Sequence, residues 1–120
     1  MEITDSTAVA AFGALAQETR LAIYRLLVER GPNGLPAGAI ADALDIPAAT
    51  LSFHLAQLRG AGLINQRRES RSLIYAVDIA AMNSLIGFLS DRCCGGEPGL
   101  CLPKTKRKSD DLAKPRRKAV

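Results

Sequence analysis

The sequence predicts a mainly α-helical protein with one small β-hairpin, and three observations predict it. Apolar residues recur at helical spacing from Ser6 to Arg30 and again from Ala37 to Arg59. Between Leu63 and Val77 the pattern changes to that of short strands. A last helical run follows Asp78 and stops where Cys93-Cys94-Gly95-Gly96 and Pro98 oppose its continuation.

Taken in order, Val9, Phe12, Leu15 and Ala16 form one apolar helix face, and Leu21, Ile23, Leu26 and Leu27 form the next. The polar Gln17-Glu18-Thr19 predicts a bend between them. Gly31-Pro32-Asn33-Gly34 places four turn formers in a row. A short helix fits Ala37 to Leu44, with Ile40, Ala41 and Leu44 inward. Asp45-Ile46-Pro47 reads as a turn into the next helix, because proline suits a first helical turn. That helix runs from Ala48 to Arg59 and ends at Gly60-Ala61-Gly62. Strands are predicted over 63–67 and 72–77, with Arg68-Glu69-Ser70-Arg71 as the hairpin tip. Asp78 suits the N-cap of a final helix carrying Ile79, Met82, Leu85, Ile86 and Leu89. Two helices joined by a short turn, then a charged hairpin and a helix, specify a winged helix-turn-helix. Residues 37–59 are the helix pair and 63–77 the wing.

The chain of 120 residues is 48% apolar and 23% charged, which suits one compact domain, expected over 1–102. Its net charge of +4 is unevenly spread. Residues 1–102 hold eight Arg/Lys against ten Asp/Glu, whereas 103–120 hold eight against two. The tail, 103–120, has few large apolar residues and two prolines and is expected to be disordered. It is either a polyanion-holding or a merely solubilising segment. No apolar run approaches the roughly 18 residues of a membrane span, and the acidic start, Met1-Glu2-Ile3-Thr4-Asp5, is unlike a secretory signal. A soluble, cytoplasmic protein without a membrane partner is expected. The chain has no Trp and one His, which argues against an aromatic-lined cofactor pocket and a multi-histidine metal site. No enzyme is expected.

The Ala48–Arg59 helix has Leu51, Leu55 and Leu58 along one narrow seam. Opposite lie Ala49, Thr50, Phe53 and Gln57, with Ser52 and His54 on the flanks and Arg59 at the end. Such a small, mostly uncharged face fits a major groove. There Gln57 can pair with an adenine edge, Thr50, Ser52 and His54 can hydrogen-bond, and Phe53 can touch thymine methyls. Arg67, Arg68 and Arg71 cluster at the hairpin, where phosphate or minor-groove contact is natural. The blander reading is an amphipathic helix with Phe53 packed on a neighbour, His54 solvated and the wing charges merely hydrated.

Leu15-Ala16-Gln17-Glu18-Thr19-Arg20-Leu21-Ala22-Ile23-Tyr24-Arg25-Leu26-Leu27 resembles the opening helices of the ArsR/SmtB family of metal-responsive repressors. Thr50-Leu51-Ser52-Phe53-His54-Leu55-Ala56-Gln57-Leu58, followed by Ala61-Gly62-Leu63-Ile64, resembles that family's recognition helix and its exit into the wing. The resemblance covers roughly residues 8–92. It implies a homodimer paired through the first and last helices, bound to a palindromic double-stranded operator and released by an effector. Val9, Phe12, Leu85, Phe88 and Leu89 are the apolar residues expected to be exposed in a lone protomer.

All three cysteines, Cys93, Cys94 and Cys101, fall within ten residues with the spacing C-C-x6-C. Thiolates are soft ligands, and three of them without a fourth suit the trigonal-pyramidal coordination of As(III) or Sb(III). Gly95-Gly96 loosens the helix enough for adjacent sulfurs to converge. Glu97 or Asp91 can add an oxygen, which keeps zinc, cadmium or lead open, and a thiol-oxidation sensor is a further alternative. The family's cysteine pair in the helix before the recognition helix has no counterpart in Gly38-Ala39-Ile40-Ala41-Asp42-Ala43-Leu44. Its last-helix zinc site would begin Asp78-Ile79-Ala80, without the required histidines. The resemblance therefore implies the branch with a C-terminal arsenite site, here Cys93, Cys94 and Cys101.

Overall fold

The computed structural model describes residues 3–91 and Gly95. Cys93, Cys94 and Cys101, Glu97 and the 103–120 tail lie outside the described residues. The element order is α1 (Asp5–Leu15), α2 (Glu18–Arg30), a 3-10 turn (Gly31–Asn33), β1 (Leu35–Pro36), α3 (Ala37–Leu44), α4 (Ala48–Gly60), β2 (Ile64–Glu69), β3 (Ser72–Val77) and α5 (Ile79–Ser90).

Local chemistry sets these boundaries. Thr4 caps α1 reciprocally with Thr7: the Thr7 amide donates to Thr4 Oγ1 at 3.2 Å, and the Thr4 amide donates to Thr7 Oγ1 at 2.9 Å. The bend expected at 17–19 is a break in which Gln17 caps α2, its Oε1 accepting from the Arg20 amide at 2.8 Å. Gly31, at φ 74°, closes α2 by donating to the Leu27 and Val28 carbonyls. Asp45 ends α3 in the left-handed region at φ 55°. Pro47 is the N-cap residue of α4, one position before the first helical turn. Asp78 caps α5 as expected, accepting from the Ala81 amide at 3.0 Å.

The core gathers on these frames. Ile23 and Leu27 of α2, Ile40 of α3 and Leu51, Leu55 and Leu58 of α4 are buried together with Leu63, Ile64 and Val77. Tyr24 is buried as well, which raises its hydroxyl above the ordinary value of 10.0, and the Asp78 charge adds to the rise.

The sheet differs from the two-stranded hairpin expected. It has three antiparallel strands in the order β1-β3-β2, because Leu35 and Pro36 pair with Tyr75 and Ile74. A two-residue strand carries too little periodicity to be read from sequence. The hairpin is also longer than expected: pairing continues to Glu69↔Ser72, so Arg68 and Glu69 lie in β2 and only Ser70-Arg71 form the tip. Ser70 takes φ 56° there.

The chain divides into two compact units at Ile86/Gly87. The first contains the helix-turn-helix and the sheet. In its part of α5, Ala81 and Leu85 face inward while Ile79 and Ile86 are exposed, so the expected exposure of Leu85 is overturned. Val9 on α1 is 70% exposed and Phe12 half-buried. In the second unit, Leu89 is 67% exposed. Among the described residues no helix is long and apolar enough to cross a membrane.

Candidate nucleic-acid interface

The helix-turn-helix pair is α3, the Asp45–Pro47 turn and α4. Leu51, Leu55 and Leu58 fix α4 to the body, and their burial leaves Thr50, Ser52, Phe53, Gln57 and Arg59 exposed. Phe53 is 58% exposed, a large aromatic ring held outward on an otherwise small and uncharged face. Its ring stands edge-on to the His54 imidazole, centroids 5.5 Å apart, which gives it a fixed support.

His54 itself corrects the sequence reading. It was expected on a flank within reach of bases, but only 8% of it is exposed. The buried side of α4 is wider than the leucine seam because α1 and α2 also pack against this helix. Arg20 of α2 is the residue that sequence reasoning missed. Its Nη1 lies 3.3 Å from His54 Nδ1, and its Nε donates to the Ala14 carbonyl at 2.6 Å. One guanidinium thereby ties the end of α1 to the back of α4. His54 is a support for the reading face rather than part of it.

Ala10, Gly13 and Ala14 of α1 and Ala56, Gln57 and Gly60 of α4 line an open cleft beside Arg20. Gln57 is thus at the edge of that cleft as well as on the exposed face.

The three wing arginines do not form one cluster. Arg67 is half-buried, and its Nε donates to Glu69 Oε2 at 2.8 Å. Its Nη2 donates to the Asn33 carbonyl at 2.8 Å and its Nη1 to the Pro32 carbonyl at 3.3 Å. The expected free cation at position 67 is therefore overturned. Arg68 and Arg71 are exposed and have no hydrogen-bond or ion-pair partner among the described residues. Arg68 sits opposite Leu73, whereas Arg67 sits opposite Ile74, so alternation puts the two on opposite faces of the hairpin.

An exposed groove-sized helix face beside a hairpin with two exposed arginines is a nucleic-acid interface in form. A helix-turn-helix domain model matches residues 15–67. The transcriptional activator HlyU of Vibrio cholerae is 33% identical over 94 residues, covering 78% of this chain and 84% of HlyU. The regulator YgaV of Escherichia coli is 29% identical over 94 residues, covering 78% and 93%. The solved structure of Vibrio cholerae HlyU superposes with a TM-score of 0.58 at 35% identity, covering 74% of this chain and 97% of that one. The homodimeric winged helix-turn-helix DNA-binding domain of a possible ArsR-family regulator from Mycobacterium bovis superposes with a TM-score of 0.58 at 29% identity, covering 72% and 81%. With its fold, reading helix and wing in agreement, this chain belongs to the winged-helix transcriptional regulators of the ArsR/SmtB type.

Proposed function

We propose that this DNA-binding regulator is an arsenite-responsive repressor. It occupies a palindromic operator as a homodimer paired through α1 and α5, and leaves when As(III) or Sb(III) binds the thiolates of Cys93, Cys94 and Cys101. The observation that carries the effector is the C-C-x6-C spacing, which gathers every cysteine of the chain next to the end of α5. The exposed Val9 and Ile86, and the homodimeric Mycobacterium bovis relative, support the pairing. Half-sites about 34–36 Å apart make operator contact sensitive to small changes in the spacing of the two α4 helices. A coupling of about 1–3 kcal/mol then lowers operator affinity about 5- to 150-fold. The Vibrio cholerae relative is named an activator. Repression or activation follows from where a bound site lies relative to a promoter, so the release step is the part to test.

A second reading makes the same cysteines a thiol-oxidation sensor. It is favoured by a related structure, 34% identical with a TM-score of 0.56, that is described as reduced HlyU. Operator duplex selected from a random pool, then titrated separately with arsenite, antimonite, cadmium, zinc and peroxide, decides between them. Release by arsenite and antimonite, lost on replacing any one cysteine by serine, supports the first reading. Release by peroxide alone supports the second.

A further inference from the structure

We infer that Arg67 is a positioning residue that sets the angle of the wing, and that the wing's phosphate contacts belong to Arg68 and Arg71. The inference rests on the DNA-binding reading above, because a wing angle has consequences only where the wing meets a duplex.

Arg67 starts on β2, an outer strand, and its guanidinium ends on the carbonyls of Pro32 and Asn33, just before β1, the other outer strand. The side chain therefore links β2 to the turn before β1 from the face where its cross-strand partner Ile74 is buried. Glu69, two residues on and on the same face, takes the Nε hydrogen and neutralises the charge at 2.8 Å. Three of the five guanidinium hydrogens are committed within the protein. The backbone ladder alone joins β1 to β3 through only two residue pairs, Leu35↔Tyr75 and Pro36↔Ile74. A short ladder resists twisting poorly, and Arg67 adds a second attachment, from β2 to the turn that leads into β1. Arg68 faces away from this brace, Arg71 is exposed at the hairpin tip, and both keep their charge for solvent or phosphate.

The two roles separate in a salt titration. Binding of a labelled mixed-sequence duplex of about three helical turns is measured against salt concentration for Arg67→Met, Arg67→Lys, Arg68→Met and Arg71→Met. Methionine keeps the apolar stem over Ile74. Removing one phosphate-neutralising charge flattens the log–log slope by about 0.9 per protomer, the result expected for Arg68→Met and for Arg71→Met. Arg67→Met is expected to weaken binding about tenfold at one salt concentration with the slope unchanged, since the wing must then be ordered on binding. Arg67→Lys does not restore affinity, because an ammonium cannot fork to two carbonyls and a carboxylate. Without DNA, Arg67→Met speeds amide hydrogen exchange at Tyr75 and Ala76 in the folded protein, and Arg68→Met does not. A flattened slope in Arg67→Met, full rescue by lysine, or unchanged exchange overturns the inference. If the wild-type protein shows no salt-dependent binding at all, the DNA reading fails, and the exchange measurement still decides the brace.

Discussion

Alanine at Gly34 is expected to destabilise the protein about twice as much as alanine at Gly31, or more. Both glycines hold backbone angles that other residues rarely take: φ 74° and ψ −157° at Gly31, φ 69° and ψ −167° at Gly34. Holding alanine there costs about 1–3 kcal/mol, offset by about 0.4–1 kcal/mol from a less flexible unfolded chain. At Gly31 nothing lies within 4 Å of an added Cβ, so about 1–2 kcal/mol is the whole effect. At Gly34 the methyl would run into the Tyr75 carbonyl oxygen and stand 3.0 Å from Ala76 Cβ. Those atoms belong to β3, the central strand, which has neighbours on both sides and cannot give way alone. Displacing it adds about 1–3 kcal/mol, for a total near 2–5 kcal/mol. Urea unfolding of both variants at one protomer concentration measures the difference. Equal losses, or a larger loss at Gly31, would show that the close approach of the turn to β3 does not exist.

Asp78→Ala removes the cap of α5 and is expected to cost about 0.5–2 kcal/mol in urea unfolding, with Asp78→Asn close to wild type; equal losses in both would deny the cap. Arg20→Met leaves the buried His54 nitrogen without its donor and is expected to cost about 1–3 kcal/mol. Adding His54→Leu should recover part of that, and strict additivity of the two changes would contradict their pairing. Gln57→Ala is expected to reduce discrimination between operator and random duplex by about 1–3 kcal/mol while leaving random-duplex binding unaltered, which competition binding reads directly. Because burial holds the Tyr24 proton on in the folded state, stability is full below pH 10.0 and falls as pH rises through the higher folded-state value. Tyr24→Phe should flatten that alkaline decline, and an unchanged slope places its cause elsewhere.

The main elements were legible because each has a local signature. Ala37–Leu44 and Ala48–Arg59 follow from apolar spacing and from the Asp45-Ile46-Pro47 turn, and the observed α3 and α4 agree to within one residue. Asp78 declared its cap in the same local way. What was not legible depends on partners distant in sequence. His54 looked like a flank residue on a wheel drawn for α4 alone, and it is the packing of α1 and α2, with Arg20 34 positions earlier against its ring, that buries it. Arg67 looked like one of three equivalent cations because sequence shows charge and not commitment. Its acceptors at Pro32 and Asn33 lie 35 and 34 residues away. Strand β1 was missed because two residues have no period.

These two arginines share one way of acting, and the composition carries its trace. Every cation in residues 1–102 is an arginine, and every lysine of the chain lies in the basic tail. Charge alone does not account for that division, since either residue supplies one positive charge. Geometry does. Arg20 joins a carbonyl on α1 to a ring nitrogen on α4, and Arg67 joins two carbonyls of the turn before β1 to a carboxylate on β2. Each needs several donors at fixed angles from one planar head, which guanidinium provides and ammonium does not. The same planar fork suits phosphate, so a brace and a proposed phosphate contact look alike in the sequence of the wing. It follows that lysine should substitute well at Arg68 and Arg71, the proposed phosphate contacts, and poorly at Arg20 and Arg67, where the fork ties one element to another.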